Sequence, residues 1–352
     1  MQQLGYNGDM RRREFMLLPA LALGASPTRL RADHHILSLS PLIVDFDLST
    51  LRSRYTEVED FYIRNHFQIP PVPQSYSLRI EGEVEAPQNL RMDDLRQFAK
   101  KQAGAVLECA GDPVKTVSLV SDGLWEGWCL GDVISLAKPK KDGAHVHLYG
   151  RDGYARSVPL ERAMADGLLI NGLSSRPLLR NHGAPLRALF PGWYGADSVK
   201  WLERIAVAPT PLPPEGNTYM EIWRTPSGSI ETKPLPRVLV NSVITVPADG
   251  AVLHPGKVQL RGVTWSGSGK VRSVETSADG GKTWRSADIE SGAGQYDWVF
   301  WHTELEIAQK GPMEFVSKAT DAAGNTQPPL RDARRVDSYG NNVWNRVRCV
   351  VV

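Results

Sequence analysis

The stretch RNHGAPLRALFPGWYGADSVKWL, residues 180–202, is the most specific part of the chain, and it decides the fold together with two shorter motifs that precede it. These motifs are YIRNH at residues 62–66 and ECAG at residues 108–111.

Large aromatic side chains either line a pocket and exclude water or simply fill a core, and both interpretations are open at this point. Five of them cluster around the motifs: Trp125, Trp128, Trp193, Tyr194 and Trp201.

Outward from this stretch, residues 36–235 mix strand-like pieces with short helical patterns and long loops. The strand-like pieces are YSLRIEGEV, HVHLYG and WLERIAVA, and the helical patterns are MDDLRQFAKK and PLERAMADG. This mixture predicts an α+β domain. The segments APTPLPPEG, residues 208–216, and TPSGSIETKPLPR, residues 225–237, are rich in proline. They favour an extended, exposed connection and a domain boundary near residue 235.

From residue 236 to residue 352, short strand patterns follow one another at close spacing. They are RVLVNSVITV, KVQLRGVTW, VRSVETSA, YDWVFWHTEL, MEFVSKATD and NRVRCVVV, with glycine-rich turns between most of them. Short alternating strands at this spacing predict an all-β immunoglobulin-like sandwich. No nucleophile or charged cluster stands out there, so we expect this part to serve packing and dimer formation.

The composition agrees with two globular domains that are mostly β. A chain of 352 residues is long enough for two hydrophobic cores. Its 31 glycines and 25 prolines suit turns and short strands better than a helical bundle. The formal net charge is +2, and residues 1–32 hold five arginines against Asp9 and Glu14, so removing their +3 leaves −1. This balance gives no indication of nucleic-acid binding.

The N-terminal segment MRRREFMLLPALALGASPTRLRA, residues 10–32, has the order of an export signal. Arg12 and Arg13 precede an apolar stretch, residues 15–25, and small residues suited to cleavage follow. Eleven residues fall short of the roughly 20 that cross a bilayer, so we expect no membrane span. The paired arginines indicate the twin-arginine route, or else a generic basic region. That route carries folded proteins, which predicts a redox cofactor inserted before export to the periplasm.

The chain has three cysteines, Cys109, Cys129 and Cys349, and none of them belongs to a CxxC pair. The spacing excludes a zinc knuckle and a covalent haem attachment, so any haem must belong to a partner. Three interpretations of Cys109 are open: a buried apolar thiol, a disulfide with Cys129, or a metal ligand. A thiolate is a soft ligand for a redox-active metal, and ligation protects it in an oxidising compartment, which favours the third.

In their order along the chain, the three motifs resemble the molybdenum-cofactor domain of the sulfite oxidase family. The resemblance covers nearly the whole chain after the leader at residues 1–32. It implies a molybdopterin-binding catalytic domain over residues 36–235 and an immunoglobulin-like dimerisation domain over residues 236–352, without the haem domain of the animal enzymes. The implied cofactor is molybdenum bound by molybdopterin, with Cys109 as the protein ligand to the metal.

The resemblance also implies a cofactor site drawn from several segments. A pterin with a terminal phosphate presents many donors, acceptors and negative charges, so it needs cations and imidazoles that converge on it. The positions that match the family's motifs are Tyr62, Asn65, His66, Asp152, His182, Arg187, Ser198, Val199 and Lys200.

For the reaction, the resemblance implies oxygen-atom transfer to sulfur at the metal. Arg64 matches the arginine that binds the sulfite oxyanion. The family also has a catalytic tyrosine, and counting from Gly216 places Trp223 at its position. Tyr219, four residues earlier, is the alternative.

Three further positions depart from the family pattern beside the expected metal site. Asp112 and Pro113 follow the CAG motif, where asparagine and basic residues are usual. Asp337 falls at the place of a C-terminal arginine of the anion pocket, for which Arg335 and Arg334 are the alternatives. Because of these departures, the sequence supports the assignment of the cofactor better than the assignment of the substrate.

Three functions stay open at this stage. The first is periplasmic oxidation of sulfite by a homodimeric molybdoenzyme that passes electrons to a soluble c-type cytochrome. The second is a molybdenum oxidoreductase of the same fold that acts on another sulfur substrate, such as sulfane sulfur or a sulfoxide, which the loss of pocket cations favours. The third is an exported binding protein that keeps the fold without turnover.

Overall fold

The structure is a computed structural model that describes residues 35–213 and 219–352, so the predicted export signal lies outside the described residues. The first part of the chain has two short helices, α1 (Leu130–Ser135) and α2 (Leu160–Asp166). Its strands are β1 (Ile36–Leu39), β2 (Leu42–Val44), β3 (Phe46–Asp47), β4 (Ile63–Arg64), β5 (Ser77–Gly82), β6 (Gln88–Arg91), β7 (Lys101–Glu108), β8 (Val117–Ser118), β9 (Val120–Cys129), β10 (His145–Gly150), β11 (Ala155–Pro159), β12 (Leu168–Leu173), β13 (Arg176–Pro177), β14 (Arg187–Leu189), β15 (Leu202–Ala208), β16 (Met220–Arg224) and β17 (Ile230–Pro234).

Two five-stranded sheets organise this first part. One has the order β11-β10-β15-β5-β6, in which β15 and β5 run parallel. The other has the order β13-β12-β9-β7, with β14 also paired to β12. The predicted strands YSLRIEGEV, HVHLYG and WLERIAVA are β5, β10 and β15, so these predictions are confirmed. The pattern PLERAMADG is the helix α2, whereas MDDLRQFAKK holds only a 3-10 turn at Asp94–Gln97.

The five aromatic side chains around the motifs fill the core. Trp125 and Trp201 are among the largest side chains that are almost completely buried, and Tyr194 and Trp128 are also buried. Burying a large apolar side chain contributes roughly 1.5–3 kcal/mol. Trp193 is half-buried, with the guanidinium of Arg162 3.5 Å from its ring centre. Core packing is therefore their structural role.

The second part of the chain is a β sandwich. Its strands are β18 (Asn241–Val246), β19 (Val252–Leu253), β20 (Gly256–Trp265), β21 (Val271–Ser277), β22 (Arg285–Ser286), β23 (Asp288–Ile289), β24 (Val299–Ile307), β25 (Gly311–Asp321) and β26 (Asn345–Val351). They form two sheets, β18-β20-β24-β23 and β19-β26-β25-β21-β22. Leu260 and Trp301 of the first sheet share one buried cluster with Phe315 and Val347 of the second. The six predicted strand patterns all contain strands; the immunoglobulin-like topology stays a prediction.

The proline-rich segment at residues 225–237 contains an exposed, extended strand, as the sequence predicts. This strand, β17, pairs with β16 as an antiparallel hairpin. The hairpin turns at Gly228, which has φ +86° and therefore suits glycine. The hairpin follows Tyr219 directly, so it sets where that side chain enters the structure.

The two parts of the chain meet along β7, which ends at Glu108, directly before Cys109. The buried carboxylate of Glu108 accepts hydrogen bonds from Trp265 Nε1 at 2.7 Å and from Asn241 Nδ2 at 3.5 Å. The backbone N–H of Val106 donates to the carbonyl of Tyr296 at 2.8 Å. The sandwich therefore supports the end of β7. None of the helices in the two described ranges is long and apolar enough to span a membrane.

Candidate active site

The stretch at residues 180–202 folds back on itself. The N–H of Ala188 donates to the carbonyl of Val199 at 2.9 Å, and the N–H of Leu202 donates to the carbonyl of Leu186 at 2.9 Å. The Ser198 hydroxyl accepts from the N–H of Phe190 at 3.1 Å. These bonds bring residues from the two arms of the stretch to one place, although they are 8 to 16 positions apart in sequence.

Gly183 lies where the two arms of this stretch approach most closely. Its φ is +106°, a region that side chains disfavour. A Cβ atom there would lie 3.0 Å from Cβ of Lys200 and 3.1 Å from Cβ of Arg187. Glycine is therefore required for Lys200, Arg187 and the preceding His182 to converge.

These three side chains line a cavity that also receives both upstream motifs. The cavity encloses about 670 Å³, a volume that includes its open mouth. The structure brings eleven of the predicted site residues to its wall: Tyr62, Arg64, Asn65, His66, Cys109, Asp152, His182, Arg187, Ser198, Lys200 and Tyr219. Residues that are distant in sequence thus share a single site.

Cys109 stands at the end of β7, where the chain turns away from the sheet. Its N–H donates to the carbonyl of Leu119 at 2.9 Å, and its carbonyl accepts from the N–H of Asp112 at 2.9 Å. Burial raises the pKa of the thiol to about 11, against the lowering effects of the Gly111 N–H and of Arg64. A thiolate at this position therefore needs a positively charged partner such as a metal ion. All three cysteines are free, so the disulfide of Cys109 with Cys129 is absent.

The cavity wall carries more positive than negative charge. Arg187 is buried, and its guanidinium donates only to the backbone carbonyls of His182, Ser198 and Ala188. Burial lowers the pKa of Arg187 to about 10, so this guanidinium remains charged at neutral pH. Within the described residues, no carboxylate forms a salt bridge with it. A buried cation without a counter-charge is costly, which indicates that the cavity is built for an anion.

Two more cations, Lys200 and Arg64, and the carboxylate of Asp152 complete the set of charged side chains on the cavity wall. Lys200 donates to Asn65 Oδ1 and to the carbonyl of Arg64, the latter at 3.1 Å. Burial, followed by repulsion from Arg187, lowers the pKa of Lys200 well below its usual value. Burial raises the pKa of Asp152, whose Oδ1 accepts from the N–H of Tyr154 at 3.1 Å.

Both histidines of the cavity are neutral at pH 7. Burial, with repulsion from Lys200 and Arg187, lowers the pKa of His182 to about 3. Its Nε2 lies 3.2 Å from the carbonyl of Val58 and donates to it in the corresponding tautomer. Burial, with repulsion from Arg64 and Lys200, also lowers the pKa of His66. The two imidazoles therefore offer hydrogen bonds rather than charge.

The structure separates the two alternatives for the catalytic tyrosine. Tyr219 lines the cavity, and its hydroxyl lies 3.2 Å from Nε2 of His66. Trp223 does not line the cavity: its Nε1 donates to Glu221 Oε2 at 2.8 Å, and its ring lies beside the guanidinium of Arg335 at 5.1 Å. Val199 also lies off the cavity wall, because its side chain packs in the core of the first part of the chain.

The positions that depart from the family pattern serve local structure. Asp112 Oδ1 accepts from the N–H of Leu119 at 2.7 Å, so its carboxylate closes the loop after Cys109. Asp337 forms salt bridges with Arg335 at 2.8 Å and with Arg331 at 3.0 Å. Arg334 is exposed and pairs with Asp332 at 2.6 Å. These arginines are therefore occupied by carboxylates, and none of them lines the cavity.

Sequence reasoning missed several residues at this site. Tyr154 lines the cavity, its ring lies 5.0 Å from that of His66, and its hydroxyl donates to the carbonyl of Ala196 at 2.7 Å. Its position two residues after Asp152 was the available signal. Tyr339 packs against Tyr219 with ring centres 5.1 Å apart. No local sequence pattern predicts this contact.

Comparisons with known proteins agree with this geometry. Residues 66–215 match the model of the oxidoreductase molybdopterin binding domain, and residues 233–351 match that of the Mo-co oxidoreductase dimerisation domain. Sulfite oxidase of Gallus gallus is 34% identical over 335 residues, which cover 83% of this chain and 72% of that protein. The chain belongs to the sulfite oxidase family. The predicted resemblance is confirmed, and this sulfite oxidase family member is a molybdopterin-dependent oxidoreductase.

Two further relatives show the range of this family. Sulfite oxidase of Arabidopsis thaliana is 30% identical over 358 residues, which cover 85% of this chain and 89% of that protein. The mitochondrial sulfite oxidase of Mus musculus is 32% identical, and the chain spans 61% of its length. Among solved structures, the sulfane dehydrogenase SoxCD of Paracoccus pantotrophus superposes with a TM-score of 0.81 at 25% identity, covering 89% of this chain and 87% of that one.

The residues of the cavity fit the family's molybdenum–molybdopterin cofactor. Arg187 presents a buried positive charge without a carboxylate partner among the described residues. Nδ2 of Asn65 is buried on the cavity wall without a hydrogen-bond acceptor. Cys109 adds one soft sulfur donor. An anionic group with many acceptors and a thiophilic metal satisfies all three side chains.

Proposed function

We propose that this family member oxidises sulfite to sulfate by oxygen-atom transfer. The observation that carries the proposal is the placement of the Cys109 thiol in one cavity with Arg64, His66 and Tyr219. Overall, sulfite and water give sulfate, two protons and two electrons. The named relatives are sulfite oxidases, which supports the same substrate for this chain.

In this proposal, the cofactor is held by groups from four segments of the chain. Cys109 would bind the metal through Sγ, and the cations Arg187 and Lys200 would balance the negative charges of the pterin and its phosphate. When bound, molybdenum supplies the oxygen-atom transfer and the two-electron redox change. The remaining cavity residues would hydrogen-bond the pterin: Tyr62, Asn65, His66, Asp152, His182 and Ser198.

Arg64 and Tyr219 would act on the substrate. Arg64 is half-buried at the cavity, and no described carboxylate forms a salt bridge with it, so its guanidinium is available to an oxyanion. Burial raises the pKa of Tyr219, so the phenol keeps its proton at neutral pH and its Oη can donate to an oxygen of the substrate.

A second candidate is a sulfane sulfur substrate or a sulfoxide, and the charges around the cavity favour it. Arg331, Arg334 and Arg335 are paired with carboxylates, so Arg64 lacks a second arginine from the C-terminal segment. A less charged substrate needs fewer cations. The structural similarity to a sulfane dehydrogenase supports the same alternative.

The proposal extends to partners and location. The predicted leader at residues 10–32 supports export to the periplasm by the twin-arginine route, and a soluble c-type cytochrome would accept the electrons one at a time. The match of residues 233–351 to a dimerisation domain supports a homodimer. The chain's own residues hold no haem attachment motif, so the haem would belong to the partner.

A substrate panel on the molybdenum-loaded protein tests the proposal. We expect sulfite to reduce cytochrome c at a rate that depends on enzyme concentration. Turnover of sulfane sulfur or of a sulfoxide, without any sulfite-dependent reduction, would replace sulfite by the second candidate. Analysis of metal content in the same preparation ensures that a negative result comes from loaded enzyme.

A further inference from the structure

A tyrosine from the C-terminal sandwich lies against the tyrosine of the cavity. Tyr339 precedes β26, and its ring centre lies 5.1 Å from that of Tyr219 with 44° between the ring planes. This is the distance range of a favourable aromatic pair. The ring of His66 lies 5.4 Å from that of Tyr219. Tyr219 therefore contacts both an imidazole of the first part of the chain and a phenol of the second.

The backbone around Tyr339 is fixed by an ion cluster, which we define as Glu221, Arg331, Arg335 and Asp337. The N–H of Tyr339 donates to Asp337 Oδ1 at 2.9 Å. Its carbonyl accepts from Arg331 Nη2 at 2.7 Å and from Arg335 Nη2 at 3.0 Å. Both hydrogen-bonding groups of the Tyr339 backbone are thus bound within the ion cluster, so the ring has little freedom to move.

The same ion cluster holds the strand that begins after Tyr219. The N–H of Ile222 donates to Asp337 Oδ2 at 2.8 Å, and Arg335 forms a salt bridge with Glu221 at 2.7 Å. The Tyr339 segment also reaches the metal-ligand loop, because the N–H of Gly340 donates to the carbonyl of Ala110 at 2.8 Å. One short segment of the sandwich therefore contacts the loop of Cys109 and the strand after Tyr219.

The Tyr219 side chain contacts two rings and one guanidinium. Within the described residues, its hydroxyl hydrogen-bonds only with the ring nitrogens of His66, Nε2 at 3.2 Å and Nδ1 at 3.4 Å. Its backbone carbonyl accepts from Arg156 Nη2 at 3.4 Å, and the guanidinium of Arg156 lies 5.6 Å from the centre of the Tyr219 ring. His66, Arg156 and Tyr339 therefore restrict rotation of the ring. Of the two aromatic neighbours, Tyr339 is the one that no cofactor contact would occupy.

We propose that Tyr339 is a positioning residue, which holds the phenol of Tyr219 in the cavity so that a residue of the dimerisation domain acts on catalysis through Tyr219. The inference rests on the proposed role of Tyr219. It explains why the segment that carries Asp337 is fixed so closely to the cavity although none of its arginines reaches the wall. An aromatic ring at position 339 is the required feature, not the hydroxyl.

Fluorine NMR of the loaded holoenzyme tests the positioning without any substrate. 3-Fluorotyrosine placed at residue 219 reports the surroundings of that ring. Compared with the unsubstituted protein, we expect Tyr339→Ala to shift or broaden the signal and Tyr339→Phe to restore it, at equal molybdenum content. An unchanged signal in Tyr339→Ala overturns the proposal. If Tyr339→Ala does not fold, Tyr339→Leu keeps the volume without the ring and serves the same comparison.

Kinetics in two backgrounds test whether Tyr339 acts through Tyr219. We expect Tyr339→Ala to lower kcat by about three- to tenfold, with most of the rate kept by Tyr339→Phe. In a Tyr219→Phe background, the same change should cause no further loss. An equal loss in both backgrounds overturns the proposal. A changed fluorine signal in an enzyme that does not turn over sulfite supports the positioning and rejects only the sulfite substrate.

Discussion

The hydroxyl oxygen of Tyr219 lies 3.2 Å from Nε2 of His66, within the cavity that also holds the thiol of Cys109. Trp223, at the position reached by counting along the sequence, lies outside the cavity wall. We therefore expect Tyr219→Phe to lower kcat by about tenfold or more, because a hydrogen bond to the reacting group is lost. Trp223→Phe should change kcat by less than about twofold. Steady-state kinetics measure both values. A larger decrease of kcat in Trp223→Phe than in Tyr219→Phe would assign the catalytic role to Trp223.

Loss of the Cys109 thiol should release the metal. We expect about one molybdenum per chain in the unsubstituted protein and a large decrease in Cys109→Ser, because a hydroxyl is a poor replacement for a thiolate ligand. Cys129→Ser is the matched control, since Cys129 is half-buried and lies off the cavity wall. Elemental analysis of purified protein measures the metal. Equal molybdenum in Cys109→Ser and Cys129→Ser would contradict ligation by Cys109.

Removal of the Arg64 charge should weaken binding of an anionic substrate. Loss of a charge-assisted hydrogen bond of about 1.5–3 kcal/mol predicts that Arg64→Gln raises KM for sulfite by about 10- to 150-fold, with a smaller effect on kcat. Arg334→Gln is the control, because Arg334 is exposed and pairs with Asp332 away from the cavity. Molybdenum content must match in both variants. An unaltered KM in Arg64→Gln would place the anion elsewhere.

Short motifs located most of the site because they fix local structure. RNHG ends in Gly183, whose positive φ lets two arms of the chain converge, and ECAG marks the end of β7. Each of these features depends on residues close together in sequence. The family resemblance that these motifs carry therefore predicted Cys109, Arg187 and their cavity neighbours without a structure.

Short motifs do not predict contacts between segments that are distant in sequence. Tyr219 enters the cavity because β16 pairs with the segment before Tyr339, through bonds from Arg224 N to the carbonyl of Arg334 and from Val336 N to the carbonyl of Ile222. These segments are more than 100 residues apart. Counting positions from Gly216 carries no information on that pairing, so it placed Trp223 at the position of the family's tyrosine. Tyr339 was missed for the same reason.

The Asp197 carboxylate should contribute to stability in a pH-dependent manner. It is buried and forms salt bridges with Arg156 at 2.6 Å and with Arg162. Burial alone would raise its pKa, but Arg162 and Arg156 outweigh burial and hold the pKa below 3.8. Because the folded-state pKa is lowered, the stabilisation is fully present above the unfolded-state value and is lost as the pH falls through the folded-state value.

We therefore expect Asp197→Asn to lower the free energy of unfolding at pH 7 by about 3–5 kcal/mol, since it removes the buried carboxylate that the guanidinium groups of Arg156 and Arg162 both contact. The difference from the unsubstituted protein should stay constant between pH 7 and about 5 and shrink below about 3.9. Denaturant unfolding at several pH values measures it. Asp166→Asn, which breaks the more exposed pair with Arg237, should cost about 1 kcal/mol or less. Equal losses in the two variants would show that burial of the Asp197 ion pairs adds nothing to stability.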